Sequence, residues 1–171
     1  MASDFGFEDE ERPEGPPWEE SGGDERPPHD AGDMEIKEVR VVGVYEHVEQ
    51  ANGVPTTFVL LRDTHERSVL IQIGKFEAMA ISLALEGHSA DRPLPYDLLN
   101  NILQKMGGTV ERILIDDLWN STYYAKVSIG YDGRMLDIDS RPSDAIALGL
   151  RAKAPIFMAE SVLERAAVRE E

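Results

Sequence analysis

Apolar and polar positions alternate in some stretches of this chain and recur every three to four residues in others. The change of period marks its elements. Residues 34–49 form a β-rich run carrying Ile36, Val39, Val41, Val42 and Val44, which predicts a long strand with a bulge at Gly43. Asn52-Gly53 is a hairpin signal, Thr56–Arg62 a second strand, Asp63–Arg67 a polar turn and Ser68–Ile73 a third strand. Lys75–Glu86 then reads as a helix with Phe76, Met79, Ala80, Leu83 and Ala84 as its apolar stripe, closed by Gly87. After a loop with Pro93 and Pro95, Tyr96–Met106 is a second helix striped by Leu98, Leu99, Ile102 and Leu103, stopped by Gly107-Gly108.

Alternation returns over Thr109–Leu118, Thr122–Ile129 and Arg134–Ser140, separated by turns at Asn120-Ser121 and Tyr131-Asp132-Gly133. Pro142–Lys153 is a third helix, apolar nearly all round and so expected to be buried. A short extended piece, Ile156–Met158, follows Pro155, and Ser161–Ala167 is a final short helix. Strand runs and helices segregate rather than alternate. This predicts an α+β fold in the order βββααβββαα, a mixed or antiparallel sheet with helices packed on it. Shifting the chain by 67 positions lays Val69–Leu85 on Leu136–Ala152. Ile71 then meets Ile138, Ala78 meets Ala145, Ala80 meets Ala147 and Leu83 meets Leu150, while Glu77 falls on Asp144. The matching order of elements suggests two copies of a βββα unit.

Composition divides the chain. Residues 1–33 hold twelve acids and two arginines with almost no aliphatic side chains. Such a segment buries too little apolar surface to offset chain entropy, which predicts a disordered acidic tail. Its Phe5, Phe7 and Trp18 make it either a solubilising extension or a docking motif for an unknown protein. Residues 34–168 are the expected domain and 169–171 a short C-terminal tail. The net charge of −16 excludes a broad electrostatic grip on nucleic acid but leaves room for a local basic patch. No cysteine is present, so disulfides, thiolate metal sites and Cys nucleophiles are excluded. With no apolar signal region and no stretch of membrane-spanning length, the expected location is the cytoplasm, off the membrane.

The densest candidate chemistry is at 137–148. Asp137 and Asp139 alternate with Ile138, so the two carboxylates share one strand face, roughly 7 Å apart at Cα. Pro142 suits the first turn of a helix, and Asp144 falls at that helix's positive end. Asp137 and Asp139 are candidate ligands for a divalent cation. With no cysteine and no nearby imidazole, magnesium, manganese or calcium is favoured over zinc. Arg141 is a candidate phosphate clamp. The competing reading is structural: the strand acids face solvent and Asp144 pairs with Arg141 as a helix-start acid. Asp116-Asp117 reads as a pair of turn acids, and His47, His65 and His88 have no metal-ligand spacing. Neither a hydrolase triad nor a nucleotide-binding glycine pattern is present.

Ser140-Arg141-Pro142-Ser143-Asp144-Ala145-Ile146-Ala147-Leu148 resembles the signature of the bifunctional nuclease domain family. Further resemblance lies in Ile71-Gln72-Ile73-Gly74 with Glu77-Ala78, in Arg92-Pro93-Leu94 with Asp97-Leu98, and in Ala154-Pro155-Ile156. The match covers about 35–168. It implies an α+β fold, self-association into a homo-oligomer, and nuclease activity on DNA and RNA. Matched positions put Glu77, Asp139, Arg141, Ser143 and Asp144 at the functional surface. The expectation is a metal-assisted nuclease, with magnesium or manganese on Asp137 and Asp139, phosphate on Arg141, and Asp144 or Glu77 orienting the site. The alternative is a non-catalytic oligomeric regulatory or ligand-binding module.

Overall fold

The computed structural model describes residues 34–48, 53–88 and 90–168. The acidic tail over 1–33, Asn52 of the hairpin signal and the tail over 169–171 lie outside the described residues. Seven strands are formed: β1 (Ile36–Val48), β2 (Pro55–Asp63), β3 (Ser68–Ile73), β4 (Thr109–Trp119), β5 (Thr122–Tyr131), β6 (Arg134–Ser140) and β7 (Ile156–Ala159). Helices α1 (Lys75–Leu85) and α2 (Pro95–Lys105) separate β3 from β4. Helix α3 (Pro142–Ala152) precedes β7, and α4 (Glu160–Ala166) follows it. The fold is α+β.

All seven strands join one mixed sheet in the order β3-β2-β1-β7-β4-β5-β6. Two antiparallel meanders, β1-β2-β3 and β4-β5-β6, flank β7, which runs antiparallel to β1 and parallel to β4. The extended piece expected after Pro155 is therefore the central strand. Its side chains Ile156, Met158 and Ala159 are buried. Asn120 and Ser121 both take positive φ, as do Asp132 and Gly133, giving the two-residue connections whose twist suits antiparallel neighbours. A register shift between Val41 and Gly43 is the bulge expected near that glycine.

Helix α3 is the centre of the core. From Pro142 to Gly149 every residue but Asp144 is buried. Gly149 lets the helix approach β4, since a Cβ there would lie 2.5 Å from Cγ1 of the fully buried Ile113. Burying an isoleucine such as Ile113, Ile115 or Ile146 contributes about 1.5–3 kcal/mol to the apolar stabilisation. Helix α1 departs from the expected stripe. Ala78, Ala80 and Ile81 face the core, whereas Phe76 and Met79 are exposed. Small side chains permit close packing on the sheet, and they turn the bulkier positions outward. The apolar stripe of α2 likewise stays largely outside, with Leu98, Leu99 and Ile102 exposed and Leu103 half-buried.

Asp116 and Asp117 are not turn acids. Strand β4 runs on to Trp119, and both side chains are buried where its register with β5 shifts. Lys126 Nζ lies 3.1 Å from Asp116, and Arg165 Nη2 donates to Asp117 at 3.1 Å. A second ionic cluster ties the β2–β3 turn to α4. Arg67 donates from Nε to Asp63 (2.8 Å) and from Nη1 and Nη2 to the two oxygens of Glu160 (2.6 and 2.9 Å). Asp63 also accepts the backbone N–H groups of His65 and Arg67, both at 2.9 Å.

Candidate functional site

Two strand-to-helix corners meet on one side of the molecule. At the first, Pro142 holds the preceding residue extended, and Arg141 has φ −68° and ψ 143°. Its carbonyl accepts the Ala145 N–H at 3.0 Å, which starts α3. Asp144 is then the third residue of the helix. At the second corner Gly74 precedes α1, its carbonyl accepts the Ala78 N–H at 2.9 Å, and Glu77 is likewise the third residue. A Cβ on Gly74 would run into Glu77 Oε2, so the glycine leaves room for this carboxylate to fold back over the helix start.

Arg141 joins the corners. Its Nε donates to Asp144 Oδ2 at 2.7 Å and its Nη2 to Glu77 Oε1 at 2.9 Å. The other Asp144 oxygen accepts the Tyr96 hydroxyl at 2.7 Å. These bonds, Asp144 foremost, raise the Arg141 pKa, so the guanidinium is permanently charged. Burial and then the hydrogen bond to Asp144 push the Tyr96 phenol up, which makes it a donor and not a base near neutral pH. Two carboxylates and one guanidinium leave the cluster one negative charge in excess. The Arg141 side chain is 70% exposed, and its Nη1 has no partner among the described residues. The corner therefore offers a free donor edge beside two held carboxylates, a combination suited to gripping an anion next to an acid–base pair.

Tyr96 is the residue that sequence reasoning missed. It reaches Asp144 from 48 positions away, and only its place inside the Arg92-Pro93-Leu94 and Asp97-Leu98 motif hinted at a role. That motif positions it. Asp97 accepts the Leu94 N–H at 2.9 Å at the start of α2 and lies 3.4 Å from Arg151 Nε of α3. Arg151 in turn donates to the His88 carbonyl at 3.1 Å. The motif thus clamps α2 against α3 and holds the phenol over Asp144.

Asp137 and Asp139 stand apart from this cluster. Leu136 and Ile138 pair with Ile129 and Val127, whose side chains lie in the core, so the two acids project to the opposite sheet face. Asp137 accepts the Ser128 hydroxyl, and Ser128 also receives Arg112 Nε at 3.3 Å. Asp139 sits opposite Lys126 in register, and its carboxylate makes no hydrogen bond or ion pair among the described residues. The structure brings together Glu77, Arg141 and Asp144; it does not bring Asp137 or Asp139 to them. No group of three or more His, Asp or Glu among the described residues is arranged to hold a metal ion. Two carboxylates, one already bonded to Ser128, do not make a resident cation site. They match only the sparse protein ligation of a magnesium ion shared with a substrate phosphate. Among the described residues no helix is long and apolar enough to cross a membrane.

Known proteins bear on this arrangement. The pattern of the family described as Bifunctional nuclease domain matches residues 59–171. An uncharacterized protein of Mycobacterium tuberculosis is 38% identical over 130 residues, 75% of each chain. Bifunctional nuclease 1 of Oryza sativa subsp. indica is 27% identical over 110 residues, and Bifunctional nuclease 2 of Arabidopsis thaliana 26% over 110 residues. Each of these two matches covers 61% of this chain and 33% of the plant protein. The matched region contains both corners, the α2 clamp and all of α3, and the chain belongs to the bifunctional nuclease domain family.

Proposed function

We propose that the protein is a nuclease that hydrolyses phosphodiester bonds of DNA and RNA at the joined corners. The observation carrying this reading is that Arg141 gathers Glu77 and Asp144, from motifs 64 residues apart, into one partly open cluster. Arg141 holds a phosphate oxygen through its free edge. Asp144, oriented by Tyr96, and Glu77 orient the attacking water and take up its proton. A magnesium or manganese ion on Asp137 and Asp139 would sit on the opposite face of β6, so the proposed hydrolysis runs through Arg141, Asp144 and Glu77 and routes no step through it. The exposed Leu98, Leu99 and Ile102 of α2 and the uncovered Leu136 and Ile138 of β6 support self-association, which sedimentation tests. A monomer at high concentration removes that part.

The decisive experiment is cleavage of single- and double-stranded DNA and RNA by the wild type and by Asp144→Asn, purified in parallel, with and without chelator. The expected loss is about a hundredfold or more in rate at similar melting temperature. Undiminished cleavage by the variant overturns the assignment. One observation favours the non-catalytic regulatory or ligand-binding alternative: both oxygens of Asp144 already have partners. In that case Asp144→Asn lowers the melting temperature, and neither protein cleaves.

A further inference from the structure

We infer that the N-terminus of α3 is a binding subsite for a nucleotide phosphate, reached through a cleft that Arg141 lines and that neither Glu77 nor Asp144 lines. The inference deepens the nuclease reading and rests on it for a polymer as the source of the phosphate. The cleft, about 520 Å³, lies between Gln72 near the end of β3 and the β4–β5 turn at Ser121, Thr122 and Tyr123, with Arg141 and Ser143 at its base. The ends of β3 and β5 face each other here although four strands separate them in the sheet, because the sheet curls.

Three observations point to an anion. First, no carboxylate lines this cleft in a chain of net charge −16, whereas the cleft at the β1–β2 rim carries Glu38, Asp63 and Glu66, and that at the β5–β6 turn Glu111 and Asp132. Second, Pro142 has no N–H, and the N–H groups of Ser143 and Asp144 have no acceptor among the described residues. An eleven-residue helix directs its positive end through them. Third, Ser143 is only 8% exposed, lines the cleft, and its hydroxyl has no partner among the described residues. This hydroxyl opens onto the cleft and is available to donate to an anion there. With the free Nη1 edge of Arg141, the site presents backbone, hydroxyl and guanidinium donors together.

The rest of the cleft suits the remainder of a nucleotide. The half-buried Tyr123 supplies a ring for stacking, and Gln72 an amide that both donates and accepts. The subsite anchors the strand beside the acids rather than on them.

The test uses the full chain with three probes and no added cation: inorganic phosphate, a nucleoside monophosphate and a five-residue oligothymidylate. Binding is read by calorimetry and thermal shift. Ser143→Ala removes the cleft hydroxyl. Thr122→Asp places a carboxylate at the exposed mouth without touching the core. The oligonucleotide is expected to bind, the monophosphate to compete with it, Ser143→Ala to weaken it about fivefold and Thr122→Asp about tenfold or more. Failure of all three probes to bind, or equal binding by wild type and Thr122→Asp, overturns the subsite. Cleavage with unchanged KM in both variants also overturns it while the nuclease reading stands. Monophosphate binding lost in Thr122→Asp, in a protein that neither binds oligonucleotide nor cleaves, upholds the subsite and overturns the nuclease reading.

Discussion

Arg67 and Arg141 each lie between two carboxylates, yet the two clusters serve different ends. Arg67 is 16% exposed, and it fills both oxygens of Glu160 while Asp63 accepts two further backbone N–H groups. Burial alone would raise the Asp63 pKa, but the Arg67 and His65 hydrogen bonds outweigh it and hold the carboxyl below its usual value. The Arg67 hydrogen bond, ahead of the opposing burial, holds Glu160 low as well. Every strong donor and acceptor there is spent inside the protein. Arg141 makes two similar bonds, keeps a third nitrogen toward solvent, and stands over a helix start with unclaimed N–H groups. The same chemistry, closed, is a fastening; left open, it is the place proposed for a ligand. What separates them is saturation, which residue types do not reveal.

The comparison breaks or sharpens at specific substitutions. The largest stability loss is expected at Asp63→Asn, which removes the buried charge that faces Arg67 and two backbone N–H groups and lowers unfolding free energy by about 3 kcal/mol, read by chemical denaturation. Activity per folded molecule should be unchanged. A loss below ~1 kcal/mol shows that this cluster is no more structural than the other. Gly149→Ala follows at about 2 kcal/mol, because its methyl meets Ile113 in a packed layer. A neutral result removes α3 as the rigid base of the open corner.

Arg141→Ala should cost less than ~1 kcal/mol of stability, since its pairs are exposed, while oligonucleotide affinity falls about tenfold. A large stability loss with unchanged affinity inverts the comparison. Acid sharpens it further. Carboxyls whose pKa is lowered on folding stabilise the protein fully above their unfolded value near ~4, and that contribution is lost as pH falls through the lowered folded value. The melting temperature should therefore drop between pH 5 and pH 2 (about the range over which such groups protonate), and drop less steeply in Asp63→Asn. Parallel curves for the two proteins count against the fastening role. The smallest effect is expected for Gly74→Ala. Its methyl displaces the Glu77 carboxylate from Arg141, for a severalfold loss of activity at nearly constant stability. Full activity shows that Glu77 does not take part.

Much of this was readable along the chain because the determinants are local. Pro142 after Arg141 marked the start of α3, and the alternation of Asp137, Ile138 and Asp139 set their faces correctly. Where partners are distant, reading failed. Tyr96 finds Asp144, and Arg67 finds Glu160, across 48 and 93 positions with no periodic signal. Helix α1 had the right period and the wrong phase, because alanines, not Phe76, fit against the sheet. Asp116 and Asp117 looked like turn residues because the cations that pair with them, Lys126 and Arg165, approach from elsewhere. The separation of Asp137 and Asp139 from the corner follows from strand register, which emerges only once β5 and β6 are paired.

The four residues of β7 also join the two halves of the sheet. Without Ile156–Ala159 the flanks of β1 and β4 that β7 occupies have no partner, and the sheet divides into two three-stranded halves. A chain in which β7 is displaced therefore exposes two unpaired strand edges, the kind of surface on which other chains can add.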